Sequence, residues 1–203
     1  LHAVVAAVDV PGTLKIRTGW DRHNSNAVTI AKIAEKAGVA ALAARTLPRT
    51  CRIVGAMEDD SIAQVVEAVS IPVLANGDIS TPEKAQFVLQ YTGAAAVMIG
   101  RATQGSPWVF KQINHYLEIG TLLPPPSLDE AGAIMLRHLI ALHDFYGEVG
   151  GTLISRKHIG WYINPMAGGK QFTQQFNKLE STMEQQASLR QFFESAQYQE
   201  QAA

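Results

Sequence analysis

Three places in this 203-residue chain combine residue types that could do chemistry. The first is Lys15, set inside the otherwise strand-like run Thr13-Leu14-Lys15-Ile16-Arg17. A lysine on a buried strand needs an anionic partner or a route to water, because an isolated buried ammonium is very costly. The second is Ala75-Asn76-Gly77-Asp78-Ile79 and the third is Ile99-Gly100-Arg101-Ala102, each at the end of an apolar run. Glycine lets a backbone turn tightly and approach a ligand, and the next helix is expected only three residues after Asp78, so its free N–H groups could meet a phosphate. A lone lysine could equally snorkel out to solvent, and a lone glycine is most often only a turn. Two glycine-bearing strand exits in succession, one of them followed by an arginine, point to a phosphate or a phosphorylated cofactor.

The elements that must position these residues alternate between short strands and helices. Leu1 to Val8 reads as the end of a helix, and Thr13 to Arg17 as a strand with Thr18-Gly19-Trp20 as its exit. Ala27 to Ala37 is helical, with Gly38 as its stop, and Val39 to Ala43 reads as a strand. After a loop of about 15 residues a helix spans Asp60 to Val69, and Ile71 to Ala75 is a strand. Thr81-Pro82-Glu83 has the cap, proline and acid of a helix start; that helix ends at Gly93, before a last strand over Ala94 to Ile99 and a helix near Pro107 to Glu118. Four apolar strands alternating with helices predict a parallel sheet with right-handed crossovers, its strands buried on both faces. Ligands in such folds bind at the carboxyl ends of the strands, where the residues above fall.

Leu122-Leu123-Pro124-Pro125-Pro126 reads as a linker. Beyond it come only helical patterns: Leu128 to Tyr146, opened by the capping-box-like Ser127-Leu128-Asp129-Glu130, then Leu153 to Ile163, Gln171 to Leu179 and Met183 to Phe193. Two domains are expected, residues 1–122 and an all-helical one over 127–196, with a frayed tail. From Ser127 onward the chain carries six Lys and Arg against eight Asp and Glu, so total charge announces no nucleic-acid binder. The local signal is Arg156-Lys157-His158 one turn before Trp161-Tyr162. Cations neutralise phosphates and aromatics stack bases, although the same pattern describes a core with a basic rim.

Composition sets the remaining bounds. The chain is 47% hydrophobic and 17% charged with a net charge of −1, too apolar for disorder and too neutral for a globally basic binder. Apolar runs reach only about ten residues, short of a membrane span. Cys51 is the single cysteine, so an internal disulfide is excluded and a multi-cysteine metal site with it. His138 and His143 are five apart, without a carboxylate to complete a triad, and no metal is expected. The chain opens Leu1-His2-Ala3, with no secretory signal and no methionine, and a start other than the natural one is expected.

Several strings together carry a family resemblance. Thr13 to Trp20, Ile71-Pro72-Val73-Leu74-Ala75-Asn76-Gly77-Asp78-Ile79, and Met98-Ile99-Gly100-Arg101-Ala102-Thr103-Gln104-Gly105-Ser106-Pro107-Trp108-Val109-Phe110 resemble the tRNA-dihydrouridine synthases. So do Leu142-His143-Asp144-Phe145-Tyr146-Gly147 and Arg156-Lys157-His158-Ile159-Gly160-Trp161-Tyr162, which place the chain near the bacterial B type. The resemblance runs from Leu1 to about Phe193. It implies an α/β plus α protein: the C-terminal half of a (β/α)8 TIM barrel, with four parallel strands, followed by an all-helical tRNA-binding domain. It implies FMN as cofactor, NADPH as reductant, and reduction of the C5–C6 double bond of uridine in the tRNA D-loop. Lys15 would face the flavin, where a cation stabilises the anionic reduced form. Asn76, Gly77, Asp78, Gly100 and Arg101 would hold the ribityl phosphate, and Arg156 and Lys157 would contact the tRNA backbone. A cytoplasmic enzyme, monomeric when full length, is implied as well.

The same resemblance exposes departures. The four strands match the fifth to eighth of the family barrel, so the segment carrying the family's catalytic cysteine is expected to be missing and the isolated chain to be inactive. Cys51, in Thr50-Cys51-Arg52, lacks the Gly-Cys-Pro context of that residue and reads as an ordinary loop thiol. Where the family has a His-Gly-Arg-Thr-Arg motif, this chain reads Arg45-Thr46-Leu47-Pro48-Arg49. Gly12 stands where a β-branched residue would suit the strand entry. An open half barrel also leaves two strand edges unpaired. Two other readings stay open: another FMN-dependent TIM-barrel oxidoreductase acting on a small pyrimidine-like metabolite, and an inactive RNA-binding fragment.

Overall fold

The computed structural model describes residues 1–19, 25–45 and 59–201, with side chains as far as residue 195. The chain divides into two compact units: Leu1–Ala102 with Val109–Leu122, and Thr103–Trp108 with Leu123–Ala203.

The first unit is a four-stranded sheet in the order β1-β2-β3-β4, every pairing parallel. Its strands are β1 (Thr13–Arg17), β2 (Ala41–Arg45), β3 (Val73–Asn76) and β4 (Ala96–Val97), and its helices are α1 (His2–Ala6), α2 (Ala27–Lys36), α3 (Asp59–Ala68), α4 (Pro82–Thr92) and α5 (Val109–Ile119). Register places Leu14 beside Leu42 beside Val73, and Ile16 beside Ala44 beside Ala75 beside Val97. These residues form one core with Ala27 and Ala31 of α2, Ile62 and Val65 of α3, and Ala85 and Val88 of α4.

The expectation of strands buried on both faces does not hold for β1, where Thr13, Lys15 and Arg17 are exposed and alternate with half-buried Leu14 and Ile16. Residues of that second parity share the other face: Lys15, Ala43, Leu74 and Ala96 in one registered row, and Arg17, Arg45 and Asn76 in the next. The alternation in β1 is that of a strand with one packed face, whereas Ala43 of β2 stays buried on the second face.

Strand β2 starts later than the sequence predicts. Val39 is spent closing α2: Gly38 turns left-handed at φ 85°, and the Val39 N–H donates to the Ala34 carbonyl. The strand therefore runs on to Arg45 and brings that side chain into the sheet.

The second unit contains α6 (Leu128–Ile163), α7 (Gly169–Phe176) and α8 (Thr182–Gln201). Ser127 and Glu130 form a reciprocal capping box at its start. The two helices expected on either side of the glycines at 147, 150 and 151 are both present, as the two arms of α6, and meet at a sharp kink at Gly147, whose φ 72° and ψ −177° lie outside the helical region. Met135, Leu139, Ile159, Ile163, Phe176 and Leu189 form its core. Gln185 of α8 is fully buried in a polar network, accepting from Ser155 Oγ at 2.7 Å and donating to the Thr152 carbonyl at 3.1 Å. The His143 Nε2 lies 2.9 Å from Gln185 Oε1, and Gln186 Nε2 lies 3.2 Å from the His143 Nδ1. The network joins both arms of the kinked helix to α8 and uses His143 as a structural tie.

Candidate functional site

The uncovered face of the sheet ends at a pocket of about 670 Å³ walled by the exits of β1 to β4. Among the described residues its charged groups are Lys15, Arg45, Arg101 and Asp78, three cations against one carboxylate. Pockets of this size take mononucleotide-sized ligands.

Lys15 crosses from β1 to the exits of β3 and β4. Its Nζ donates to Asn76 Oδ1 at 2.6 Å and contacts Met98 Sδ at 3.0 Å. The Asn76 Nδ2 donates to the Met98 carbonyl at 2.6 Å. Among the described residues no carboxylate pairs with Lys15. Burial first, and the Arg45 charge second, push the Lys15 pKa below the usual lysine range.

Gly77 follows Asn76 in the pocket wall, and Asp78 takes the left-handed backbone at φ 37°. The Asp78 carboxylate is hydrogen-bonded to the Arg101 guanidinium in an ion pair that bridges the exits of β3 and β4. Gly100 lines the same pocket, and an added Cβ there would meet no atom of the described residues within 4 Å.

The start of α4 contributes less than its sequence suggests. Pro82 has no N–H, the Lys84 N–H donates to Thr81 Oγ1 at 3.2 Å, and the Ala85 N–H to the Thr81 carbonyl at 3.0 Å. The cap that starts the helix takes up donors that an anion would have used.

The structure thus brings together Lys15, Asn76, Gly77, Asp78, Gly100 and Arg101 in one pocket. Sequence reasoning missed Met98 as a partner of Lys15, and it left Arg45 without a role although Arg45 lines the pocket. The period of two along each strand carries the signal for Arg45, which is in register with Asn76 and shares its face. Trp20 and the residues Thr46 to Arg52, Cys51 among them, lie outside the described residues.

Arg156 and Lys157 lie on α6 in the second unit and face different surroundings. Arg156 is half-buried and donates from Nη2 to the Leu179 carbonyl at 3.2 Å, and its buried Nε has no hydrogen-bond partner among the described residues. Lys157 is exposed, with Nζ 4.9 Å from the centre of the Trp161 ring. Next to it His158 packs edge-on against Trp161 and His138, and His138 Nδ1 lies 3.1 Å from the buried Tyr162 hydroxyl. Burial lowers both histidine pKa values, that of His158 also through the charges of His138 and Lys157, and raises that of Tyr162. Among the described residues no cluster of His, Cys, Asp and Glu could hold a metal ion, and no helix is long and apolar enough to cross a membrane.

The fold and site define a parallel β/α protein with a pocket at the carboxyl edge of its sheet. The particular family follows from comparison with known proteins. The family model for dihydrouridine synthase (Dus) matches residues 1–197, and the chain belongs to that family. It is 56% identical over 193 residues to the tRNA-dihydrouridine synthase B of Pseudomonas putida, covering 95% of this chain and 57% of the relative. For the Pseudomonas aeruginosa protein of that name the identity is 54% over 197 residues, covering 97% and 59%. For that of Vibrio vulnificus it is 52% over 195 residues, covering 96% and 61%. The chain therefore spans about three fifths of the length of these curated relatives.

Proposed function

We propose that this chain supplies the phosphate-binding side of an FMN site in a tRNA-dihydrouridine synthase. The reaction would reduce the C5–C6 double bond of a D-loop uridine, with NADPH as the source of electrons. The observation that carries the reading is the pocket at the strand exits, where Lys15 and Arg101 are each held by a polar residue of the β3 exit. The residues fit a flavin mononucleotide. The pocket is large enough, cations outnumber carboxylates in its wall, and the open backbone at Gly100 leaves room for a bulky anionic group.

When bound, FMN supplies the hydride that adds to the uracil ring. The chain's own part is to bind and orient. Arg101, with the Gly77 and Gly100 backbone, would hold the phosphate. Lys15 would keep a positive charge within the pocket, where negative charge is favoured on the ligand. The four strands would form half of a (β/α)8 barrel. The residues from 127 onward would form the tRNA-binding domain of a cytoplasmic enzyme, with Lys157 as a phosphate contact beside Trp161. Arg156, turned toward the Leu179 carbonyl, would support that surface from behind.

Family membership, and not the pocket, favours tRNA over a small pyrimidine as substrate, since the same cations would serve a flavin in either case. The tRNA reading is tested by anisotropy of labelled tRNA against salt concentration. Lys157→Ala is expected to lower the slope of log affinity against log salt by about one. An unaltered slope removes Lys157 from the interface.

A further inference from the structure

We infer that Asn76 is a positioning residue that acts through Lys15: its amide holds the Lys15 ammonium in the pocket and does not itself serve as the anion's ligand. This rests on the flavin-site reading above and assigns one of its residues a different task.

The amide's orientation is fixed at both ends. The Asn76 oxygen faces the Lys15 Nζ at 2.6 Å, and the nitrogen faces the Met98 carbonyl at 2.6 Å. Turning the amide over would set N–H donors against an ammonium and one oxygen against another, so only the observed arrangement satisfies the neighbours. The oxygen that points toward the pocket's cation is an acceptor and would repel a phosphate placed in its stead.

The reach of Lys15 also has a structural cause. It sits on β1 and its partner on β3, two strand spacings or about 10 Å apart. The strand between them carries Ala43 in register with Lys15, so the residue of β2 beside Lys15 adds only a methyl group. One ammonium hydrogen goes to the Asn76 oxygen and one to the soft Met98 sulfur, a weak acceptor. With Arg45 lining the same pocket and no carboxylate paired to Lys15 among the described residues, Asn76 is the group that steadies the cation. The lowered Lys15 pKa agrees with a cation whose surroundings otherwise disfavour charge.

The test is a pH titration of the full 203-residue chain with 13C,15N-labelled lysine, following the Lys15 side-chain resonances by NMR. It needs no flavin, so a failure of the chain to bind FMN leaves the result readable, and the converse holds too. In the wild-type chain Lys15 should titrate below the other lysines. Asn76→Leu removes the acceptor and should move the midpoint further down. Asn76→Asp places a charge there and should move it up, with the remaining lysines unmoved in both variants. A purely structural role would shift both variants in one direction, and that outcome overturns the assignment, as does a midpoint unchanged in Asn76→Asp. If Asn76→Leu does not fold, Asn76→Ala takes its place: a fall in the Lys15 midpoint supports the inference and no change refutes it.

Discussion

Replacing Gly100 by alanine separates anion binding from folding. The Gly100 backbone lies outside the left-handed region, and an added Cβ would meet no atom of the described residues within 4 Å. Alanine can therefore take this conformation without strain or collision. Reduced freedom of the unfolded chain would even stabilise the protein, by about 0.4–1 kcal/mol. The methyl group would stand in the pocket that Lys15 and Arg101 line. Carbon contacts are optimal near 3.5–4 Å whereas charge-assisted hydrogen bonds are formed at about 2.7–2.9 Å, so an anion seated against this backbone must move away. Loss of one such bond costs about 1.5–3 kcal/mol, or roughly tenfold to a hundredfold in Kd. The assay is quenching of FMN fluorescence by wild type and Gly100→Ala, with thermal unfolding of both chains beside it. An unchanged Kd in the folded variant would refute the placement of the anion. A melting temperature lower by several degrees would refute the claim of open space.

Gly105→Ala should behave in the opposite way. Its φ is 76°, and a Cβ would lie 2.2 Å from the Trp161 carbonyl oxygen, so urea unfolding should show a loss of at least about 2 kcal/mol. Gln185→Leu leaves the buried His143 Nε2 without its acceptor, while Ser155 Oγ and the Thr152 carbonyl keep each other at 3.0 Å, so about 1–3 kcal/mol should be lost from the helical unit; no loss would show that the network is dispensable. Burial lowers the folded-state pKa of His138 and His158, so the unfolded chain binds protons first on acidification. The stability these residues contribute is present above about pH 6.5, the unfolded value, and declines as pH falls below it. Unfolding curves at pH 7.5 and 5.5 should differ in wild type and differ less in His138→Gln with His158→Gln.

Much of the fold is legible in local chemistry. Thr81 and Pro82 announce α4 and Gly93 closes it at φ 68°, while Ser127 and Glu130 announce α6. Each is a short-range pattern with one physical solution. The strand ends are read less well because neighbours decide them. Val39 is taken by the closure of α2, and β4 is assigned only at Ala96–Val97 although Ala95 and Met98 still donate to β3. The glycine-rich stretch marks the break between the two arms of α6, but not that the second arm resumes directly after Gly147 rather than at Leu153. The pocket residues could be listed from the strand exits, but their division of labour could not. That Asn76 faces Lys15 and Asp78 faces Arg101 depends on register across β1 to β4, a long-range property. Arg156 and Lys157 are adjacent in sequence and about 100° apart on the helix, which sends one inward and the other to solvent.

The central claim is that the exits of β3 and β4 receive the phosphate of a flavin nucleotide. Parallel titrations of the chain with FMN and with riboflavin at low salt test it most directly, because the two ligands differ only in that phosphate. The account predicts that FMN binds at least about tenfold tighter and that Arg101→Ala removes most of the difference. Equal affinity for the two ligands, or an FMN preference that survives Arg101→Ala undiminished, would contradict it.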